Sequence, residues 1–327
     1  MKLIVQIPCF NEEKALPVTL REIPRRFRGV DVVETLVIDD GSTDKTVDVA
    51  KREGVDHIVK LTNHKGLAES FTAGIDASLH LGADIIVNTD GDNQYRGEDI
   101  QKLIDPILAG EADIVIGDRN VKEVRHFSFV KKRLQGLGSW VVRQLSGTQI
   151  PDVTSGFRAF SREAALRLNI ISRFTYTLET VIQAGKKNIA LAHVPIRTNK
   201  RLRSSRLFSN ILSYLKKSLA TIARIYTLYE PLKIFLYIGG SIFGVGMFIS
   251  IRFLYYYLTQ QGAGHIQSLI LSAVLMIVGF QVVMIGLLAD VISANRRFLE
   301  DILYRVKKME LARPKNNLKG RENNKKN

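Results

Sequence analysis

The sequence predicts an α/β fold, a mostly parallel sheet with helices between its strands, followed by two membrane-spanning helices. Three observations lead there. Four short, β-branched apolar runs in the first hundred residues each end in a polar motif. The segment after each run has helical spacing. Two long, nearly uncharged apolar stretches lie near the C-terminus. Alternating strand and helix implies right-handed crossovers, which bring all four polar strand ends to one edge of the sheet.

The elements follow in order. Leu3–Ile7 runs into Pro8-Cys9-Phe10-Asn11-Glu12-Glu13. Thr35–Ile38 runs into Asp39-Asp40-Gly41-Ser42-Thr43-Asp44, after which Ser42 or Thr43 is expected to cap a helix carried by Val47, Val49 and Ala50 and stopped at Gly54. His57–Leu61 leads to Thr62-Asn63-His64-Lys65-Gly66, and Ile85–Val87 to Asn88-Thr89-Asp90-Gly91-Asp92-Asn93-Gln94. Asp90 and Asp92 are the most informative pair. Hard cations such as Mg²⁺ or Mn²⁺ prefer oxygen ligands and often bridge to substrate phosphates. Strand carboxyl ends are also where open α/β sheets bind ligands. A lone Asp-x-Asp is more often a solvated turn, but here three other polar strand ends converge with it. A nucleotide-type ligand accounts for the convergence. No G-x-G-x-x-G follows an early strand and no G-x-x-x-x-G-K-[ST] occurs, which disfavours a dehydrogenase or a P-loop enzyme.

Two segments are long enough to cross a bilayer, residues 234–257 and Leu269–Ala289. Arg252 near the end of the first can snorkel beside Tyr255, Tyr256 and Tyr257. Gly240 and Gly244 form a G-x-x-x-G suited to close helix packing. The loop from Thr259 to Ser268 holds no Lys or Arg, while both outer flanks are rich in them. The positive-inside rule then places the catalytic part and both chain ends in the cytoplasm of an integral membrane protein. The charge of +15 concentrates between Lys122 and Arg224 and after Arg296, beside the apolar segments. With no nucleic-acid motif present, it points to a membrane surface and away from nucleic acid. The single cysteine, Cys9, excludes an internal disulfide, and no signal-peptide pattern precedes the first strand. An amphipathic helix is expected over 206–230, a second over Ile292–Met309, and a disordered tail from Lys315. The expected division is a catalytic domain over 1–205, the interfacial helix, two spans within 231–290, and a basic C-terminal part over 291–327.

The first part resembles the family 2 glycosyltransferases with the GT-A fold. The resemblance covers roughly residues 1–210 and rests on Ile7-Pro8-Cys9-Phe10-Asn11-Glu12, Asp39-Asp40-Gly41-Ser42-Thr43-Asp44, Asp90-Gly91-Asp92 and Ile116-Gly117-Asp118-Arg119. Within that family, Gln94 after the acidic pair and Asp152-Val153-Thr154-Ser155-Gly156-Phe157-Arg158-Ala159-Phe160 are similar to dolichol- and polyprenyl-phosphate sugar synthases.

The resemblance implies an enzyme that moves a sugar, with inversion, from a UDP- or GDP-sugar to polyprenyl phosphate. It implies Asp90, Asp92 and Gln94 as holders of Mg²⁺ or Mn²⁺, with Pro8, Phe10, Asn11, Glu12, Asp39, Asp40, Lys65, Gly91, Arg201 and Arg203 around the nucleotide sugar. Arg119, Lys132, Arg133 and Ser155 fall to the acceptor phosphate, with Asp152 as a further catalytic candidate. The residues themselves agree on one point of chemistry. A hydroxyl acceptor needs a general base, whereas a phosphate already anionic at neutral pH needs cationic holders. The basic set Arg119, Lys131, Lys132, Arg133 and Arg158, with Arg201, Arg203 and Arg206 beyond, offers them. A processive polysaccharide synthase is a second reading, but its Q-x-x-R-W is missing around Trp140, the only tryptophan. A non-catalytic membrane scaffold is a third, and it has no use for Asp90, Asp92 and Asp39. A homo-oligomer is compatible with the sequence.

Overall fold

The structure is a computed structural model that describes residues 1–119, 142–143, 146–171, 175–199, 220, 223–224, 227, 229–259 and 266–312. Lys131, Lys132, Arg133, Arg201, Arg203, Arg206, most of the 206–230 helix and the tail lie outside the described residues. The chain divides into two compact units, Met1–Ile222 with Tyr304–Asn327, and Ala223–Leu303.

The first unit is built on a seven-stranded sheet. Its elements are β1 (Lys2–Cys9), α1 (Leu16–Glu22), β2 (Val32–Asp39), α2 (Thr46–Arg52), β3 (His57–Lys60), α3 (Leu67–His80), β4 (Ile85–Asn88) and α4 (Ile100–Leu108). They continue as β5 (Ile114–Asp118), β6 (Arg158–Ser161), α5 (Arg162–Arg167), α6 (Thr177–Lys186) and β7 (Leu191–Pro195). The strand order is β3-β2-β1-β4-β6-β5-β7, parallel throughout except for β6, which runs antiparallel to β4 and β5. Leu3, Ile4, Val5 and Ile7 of the central β1 are all fully buried, as expected of a strand covered on both faces. Leu3, Val5 and Ile7 pack with Leu16, Leu20, Val49, Leu103 and Ile104 from α1, α2 and α4. On the other face α3 comes so close that a Cβ on Gly74 would lie 2.5 Å from Gln6 Oε1 and 2.9 Å from Ile38 Cδ1.

One local expectation fails. Neither Ser42 nor Thr43 caps α2, which begins at Thr46 without a side-chain cap. Both residues are instead drawn to the neighbouring loop, where Asn11 N–H donates to Ser42 Oγ (2.9 Å) and Thr43 N–H to Asn11 Oδ1 (2.8 Å). Gly54 does end the helix as expected, at φ +71°.

α7 (Pro231–Leu258) and α8 (Ile266–Ala312), the latter belonging to the second unit as far as Leu303, are both long and apolar enough to cross a membrane. Large apolar side chains such as Phe248 and Leu288 stand exposed, so these are not core helices of a soluble domain. α8 is continuous over 47 residues, so the second span and the stretch Ile292–Met309 form one helix. The two helices meet at Gly239 and Gly246, where an added Cβ would lie 2.7 Å from Gly279 O and 2.9 Å from Met276 Cγ. Gly240 and Gly244 are not at this seam and open onto empty space. The G-x-x-x-G read from sequence therefore does not pack this helix pair, because a heptad-like spacing keeps Gly239 and Gly246 on the shared face.

Candidate active site

Two loops at the carboxyl edge of the sheet are laced together. Besides the Asn11 bonds, Glu12 N–H donates to Thr46 Oγ1 (2.8 Å) and Glu13 N–H to Asp44 Oδ2 (3.2 Å). Asn11 sits at φ +55°, a conformation asparagine tolerates better than most residues. This lacing ties the loop after β1, which carries Phe10, to the loop after β2, which starts from Asp39. Asp39 is fully buried at the end of β2, with Oδ1 accepting from Ser42 N–H (3.1 Å). Its Oδ2 has no partner among the described residues. A buried carboxylate oxygen left unpaired is costly, which marks it as a place for a ligand's N–H. Asp40, one residue on, is spent on the fold. It accepts from Lys65 N–H (2.8 Å), Gly66 N–H (2.9 Å) and His64 Nδ1 (2.8 Å), and His64 stacks on Phe10 at 4.0 Å. Gly41 permits this closeness, since a Cβ there would lie 2.6 Å from the Asn63 carbonyl carbon.

Asp90 and Asp92 are half-exposed just beyond β4, flanking the buried Gly91. Gln94 holds Asp92, with N–H to Oδ1 (3.2 Å) and Nε2 to Oδ2 (2.8 Å). The surroundings are strongly negative. Burial first, then the Glu12, Asp39 and Asp90 carboxylates, push the Cys9 thiol well above its ordinary pKa. Among the described residues no group of three His, Cys, Asp or Glu side chains is placed to hold a metal. The donor set fits a hard divalent cation that takes its remaining oxygens from a diphosphate and water.

The turn before β6 faces this pair. A Cβ on Gly156 would lie 3.1 and 3.3 Å from the two Asp90 carboxylate oxygens. Gly156 is pinned by neighbours that sequence reasoning passed over. Its N–H donates to Tyr95 Oη (3.1 Å), and its carbonyl accepts from Asn88 Nδ2 (2.9 Å) and Tyr176 Oη (3.1 Å). Asn88 was visible as the polar end of a strand run, and Tyr95 as the neighbour of Gln94. Tyr176 gave no signal. Burial pushes Tyr95 up to about 12 and Tyr176 well above its usual value, so both stay protonated.

Asp152 and Arg119 meet in a bidentate ion pair, Nε to Oδ2 at 2.7 Å and Nη2 to Oδ1 at 3.0 Å. Thr154 Oγ1 bridges the two, accepting from Nη2 (2.8 Å) and donating to Oδ1 (2.9 Å). Ser155 is fully buried, and its Oγ has no partner among the described residues. Arg158 departs from the expectation that it is an accessible acceptor cation. It is fully buried in β6 and donates to the carbonyls of Ser155 and Val153 (each 2.8 Å) and to Thr180 Oγ1. Burial lowers its pKa to about 10. Its work is to brace the 153–155 turn, because a strand position inside the sheet gives the side chain no route to solvent. The structure thus brings Asp39, Asp90, Asp92, Gln94, Arg119, Asp152 and Ser155 to one edge. Beyond β7, Asn199 N–H donates to Gln94 O (2.9 Å), so the described chain approaching Arg201 runs beside the acidic motif.

Comparison with known proteins agrees with this architecture. The profile of glycosyl transferase family 2 matches residues 4–168, and that of the GtrB C-terminal hairpin matches residues 230–294. A polyprenol monophosphomannose synthase of Mycolicibacterium smegmatis is 28% identical over 211 residues, 61% of this chain and 78% of the relative. A UDP-N-acetylglucosamine–dolichyl-phosphate N-acetylglucosaminyltransferase of Methanococcus voltae is 30% identical over 217 residues, 59% of this chain and 83% of the relative. The crystal structure of glucosyl-3-phosphoglycerate synthase from Mycobacterium tuberculosis with Mn²⁺, UDP and phosphoglyceric acid shares the fold. Its TM-score is 0.56 at 21% identity, over 69% of this chain and 78% of that one.

Proposed function

The chain belongs to glycosyl transferase family 2 and carries a C-terminal membrane hairpin, and from that premise we propose that it transfers a sugar from a nucleoside-diphosphate sugar to the phosphate of a polyprenyl phosphate. The observation that supports this reading is the approach of Asp90 to Gly156, in the turn that also carries Asp152 and its Arg119 partner. The names of the two relatives support a polyprenyl-type phosphate as acceptor.

The donor base sits in the hollow between Phe10 and Asp39, where Asp39 Oδ2 accepts a base N–H. A uracil or a guanine can supply one. Pro8, Asn11 and Glu12 line the same hollow, and Arg201 and Arg203 meet the diphosphate. Asp90 and Asp92 would hold a divalent cation, Mg²⁺ or Mn²⁺, which when bound would supply charge neutralisation to the diphosphate. Mn²⁺ is the ion in the solved neighbour. Gln94 keeps Asp92 in place for it. At the acceptor, Arg119 and Ser155, with Lys132 and Arg133, hold the lipid phosphate. One phosphate oxygen attacks the anomeric carbon opposite the diphosphate. The new carbon–oxygen bond forms as the old one breaks, the electron pair leaves with the nucleoside diphosphate, and the configuration inverts. A phosphate monoester has its second pKa near ~6, so at neutral pH the attacking oxygen carries no proton to be removed.

Incubating the purified chain with UDP- and GDP-sugars and polyprenyl phosphate, then extracting lipid, tests the reading. One donor should give a lipid-linked phosphosugar, and no product from any of them would refute it. Orientation rests on the Lys/Arg-free Thr259–Ser268 loop, which puts the site at the cytoplasmic face. In a Cys9→Ser background, a cysteine in that loop should react with impermeant reagents outside intact cells. One placed after Lys315 should stay unlabelled, and the opposite pattern would reverse the orientation.

A further inference from the structure

Asp152 is the carboxylate that would have to be considered as general base if the acceptor were a hydroxyl, and it opens the turn that faces Asp90. Its surroundings argue for different work. It is 2% exposed, and both oxygens are taken. Oδ2 accepts from Arg119 Nε (2.7 Å) and the Arg119 backbone N–H (3.4 Å). Oδ1 accepts from Arg119 Nη2 (3.0 Å), Thr154 Oγ1 (2.9 Å) and Thr154 N–H (3.3 Å). A base needs a lone pair directed at its proton, and this carboxylate has spent its lone pairs on the protein.

The donors of Arg119 complete the account. Nε and Nη2 are committed to Asp152 and Thr154, which leaves Nη1 as the edge that this cluster does not use. The forked face that would grip a phosphate in two places is therefore occupied, and what remains is one directed N–H₂ group. Its direction depends on Asp152, since a long side chain held at two nitrogens can no longer rotate.

We infer that Asp152 is a positioning residue: it locks Arg119 so that Nη1 is left to receive the acceptor phosphate, and it takes no proton itself. Burial would raise the Asp152 carboxyl, yet Arg119 and then Thr154 hold it below its ordinary range, which again suits an anchor and not a base. The inference rests on the lipid-phosphate reading, because a phosphate acceptor makes a base unnecessary.

A double-mutant cycle on the full chain tests it, with Asp152→Asn, Arg119→Gln and both together assayed at saturating donor against polyprenyl phosphate. Residues that act as a unit give non-additive effects. Asp152→Asn should raise the acceptor KM about tenfold, with kcat within about threefold and donor KM unchanged. In the Arg119→Gln background, the same change should add less than about twofold. A kcat loss above about a hundredfold at unchanged acceptor KM, equal with and without Arg119, would make Asp152 the base and overturn the inference. If the Asp152 variant does not fold, Thr154→Val removes the bridging hydroxyl conservatively. It should raise acceptor KM about threefold without lowering kcat, whereas a fall in kcat alone would count against positioning. Free polyprenol assayed with the unmodified chain separates the two levels. Turnover of the alcohol sinks the lipid-phosphate reading, and an additive cycle with phosphate-only turnover sinks this inference alone.

Discussion

The two sides of the proposed active edge hold their charged groups in different ways. On the donor side, Asp39 Oδ2 is buried without a partner among the described residues, and Asp90 and Asp92 stand half-exposed near Cys9, whose thiol is raised by burial first and then by Glu12, Asp39 and Asp90. On the acceptor side, Arg119, Asp152 and Thr154 satisfy one another and Arg158 donates to neutral oxygens, while Ser155 Oγ is left without a partner among the described residues. On the proposed reading, the donor side depends on its ligand for completion, through a cation and a base N–H. Apart from the Ser155 hydroxyl, the acceptor side is organised before its ligand arrives. Unsatisfied groups mark where binding energy is collected, and satisfied ones mark where geometry is held.

The comparison breaks most easily at the metal motif. Asp92→Asn should keep the fold, since a half-exposed strand-end side chain contributes little packing, yet cut turnover by about a hundredfold or more. Chelation with EDTA should do the same to the unmodified chain, and full activity in excess EDTA would remove the cation from the account. Next in size is the acceptor cation. Arg119→Ala should raise the KM for polyprenyl phosphate about 30- to 150-fold and the donor KM far less, the worth of a desolvated charge-assisted contact. Arg119→Lys should recover only part of this, because an ammonium cannot span both Asp152 oxygens. Asp39→Asn is expected to raise the donor KM about tenfold and leave the acceptor KM alone, since an amide N–H₂ then opposes the base N–H. The same shift in both constants would mean that the two sides are not separable.

The smallest expected effect is on stability. Burial works to raise the Asp152 carboxyl, but the Arg119 guanidinium outweighs it and the folded value lies below 3.8. A depressed carboxylate stabilises fully above its unfolded pKa and loses that contribution as pH falls through the folded value. The Tm should therefore drop more between about pH 4.5 and about pH 3 in the unmodified chain than in Asp152→Asn. Equal drops would show the pair to be unimportant for the fold.

The sequence made the donor side legible because its information is local. β-branched runs ending in acids announce strand ends, and the parallel crossovers then carry Pro8, Asp39 and Asp90 to one edge without any contact having to be known. The acceptor side is assembled from a distance. Arg119 and Asp152 are separated by 33 residues, and nothing in either neighbourhood states that their side chains meet. Arg158 looked like a phosphate ligand because arginine is rarely buried, and only the antiparallel strand β6 between β4 and β5 explains its position. Ser42 misled for a related reason, since a hydroxyl that would cap a helix in isolation was claimed by Asn11. In the hairpin, Gly240 and Gly244 matched a motif while Gly239 and Gly246 made the contact. Spacing identified the kind of residue but not the face it lies on.

The most direct measurement compares polyprenyl phosphate with the free polyprenol as acceptors for the purified full-length chain, with its donor and a divalent cation present. The account predicts sugar transfer to the phosphate and none to the alcohol. Equal rates on both acceptors would contradict it, and would require a proton acceptor that the Arg119–Asp152 pair does not provide.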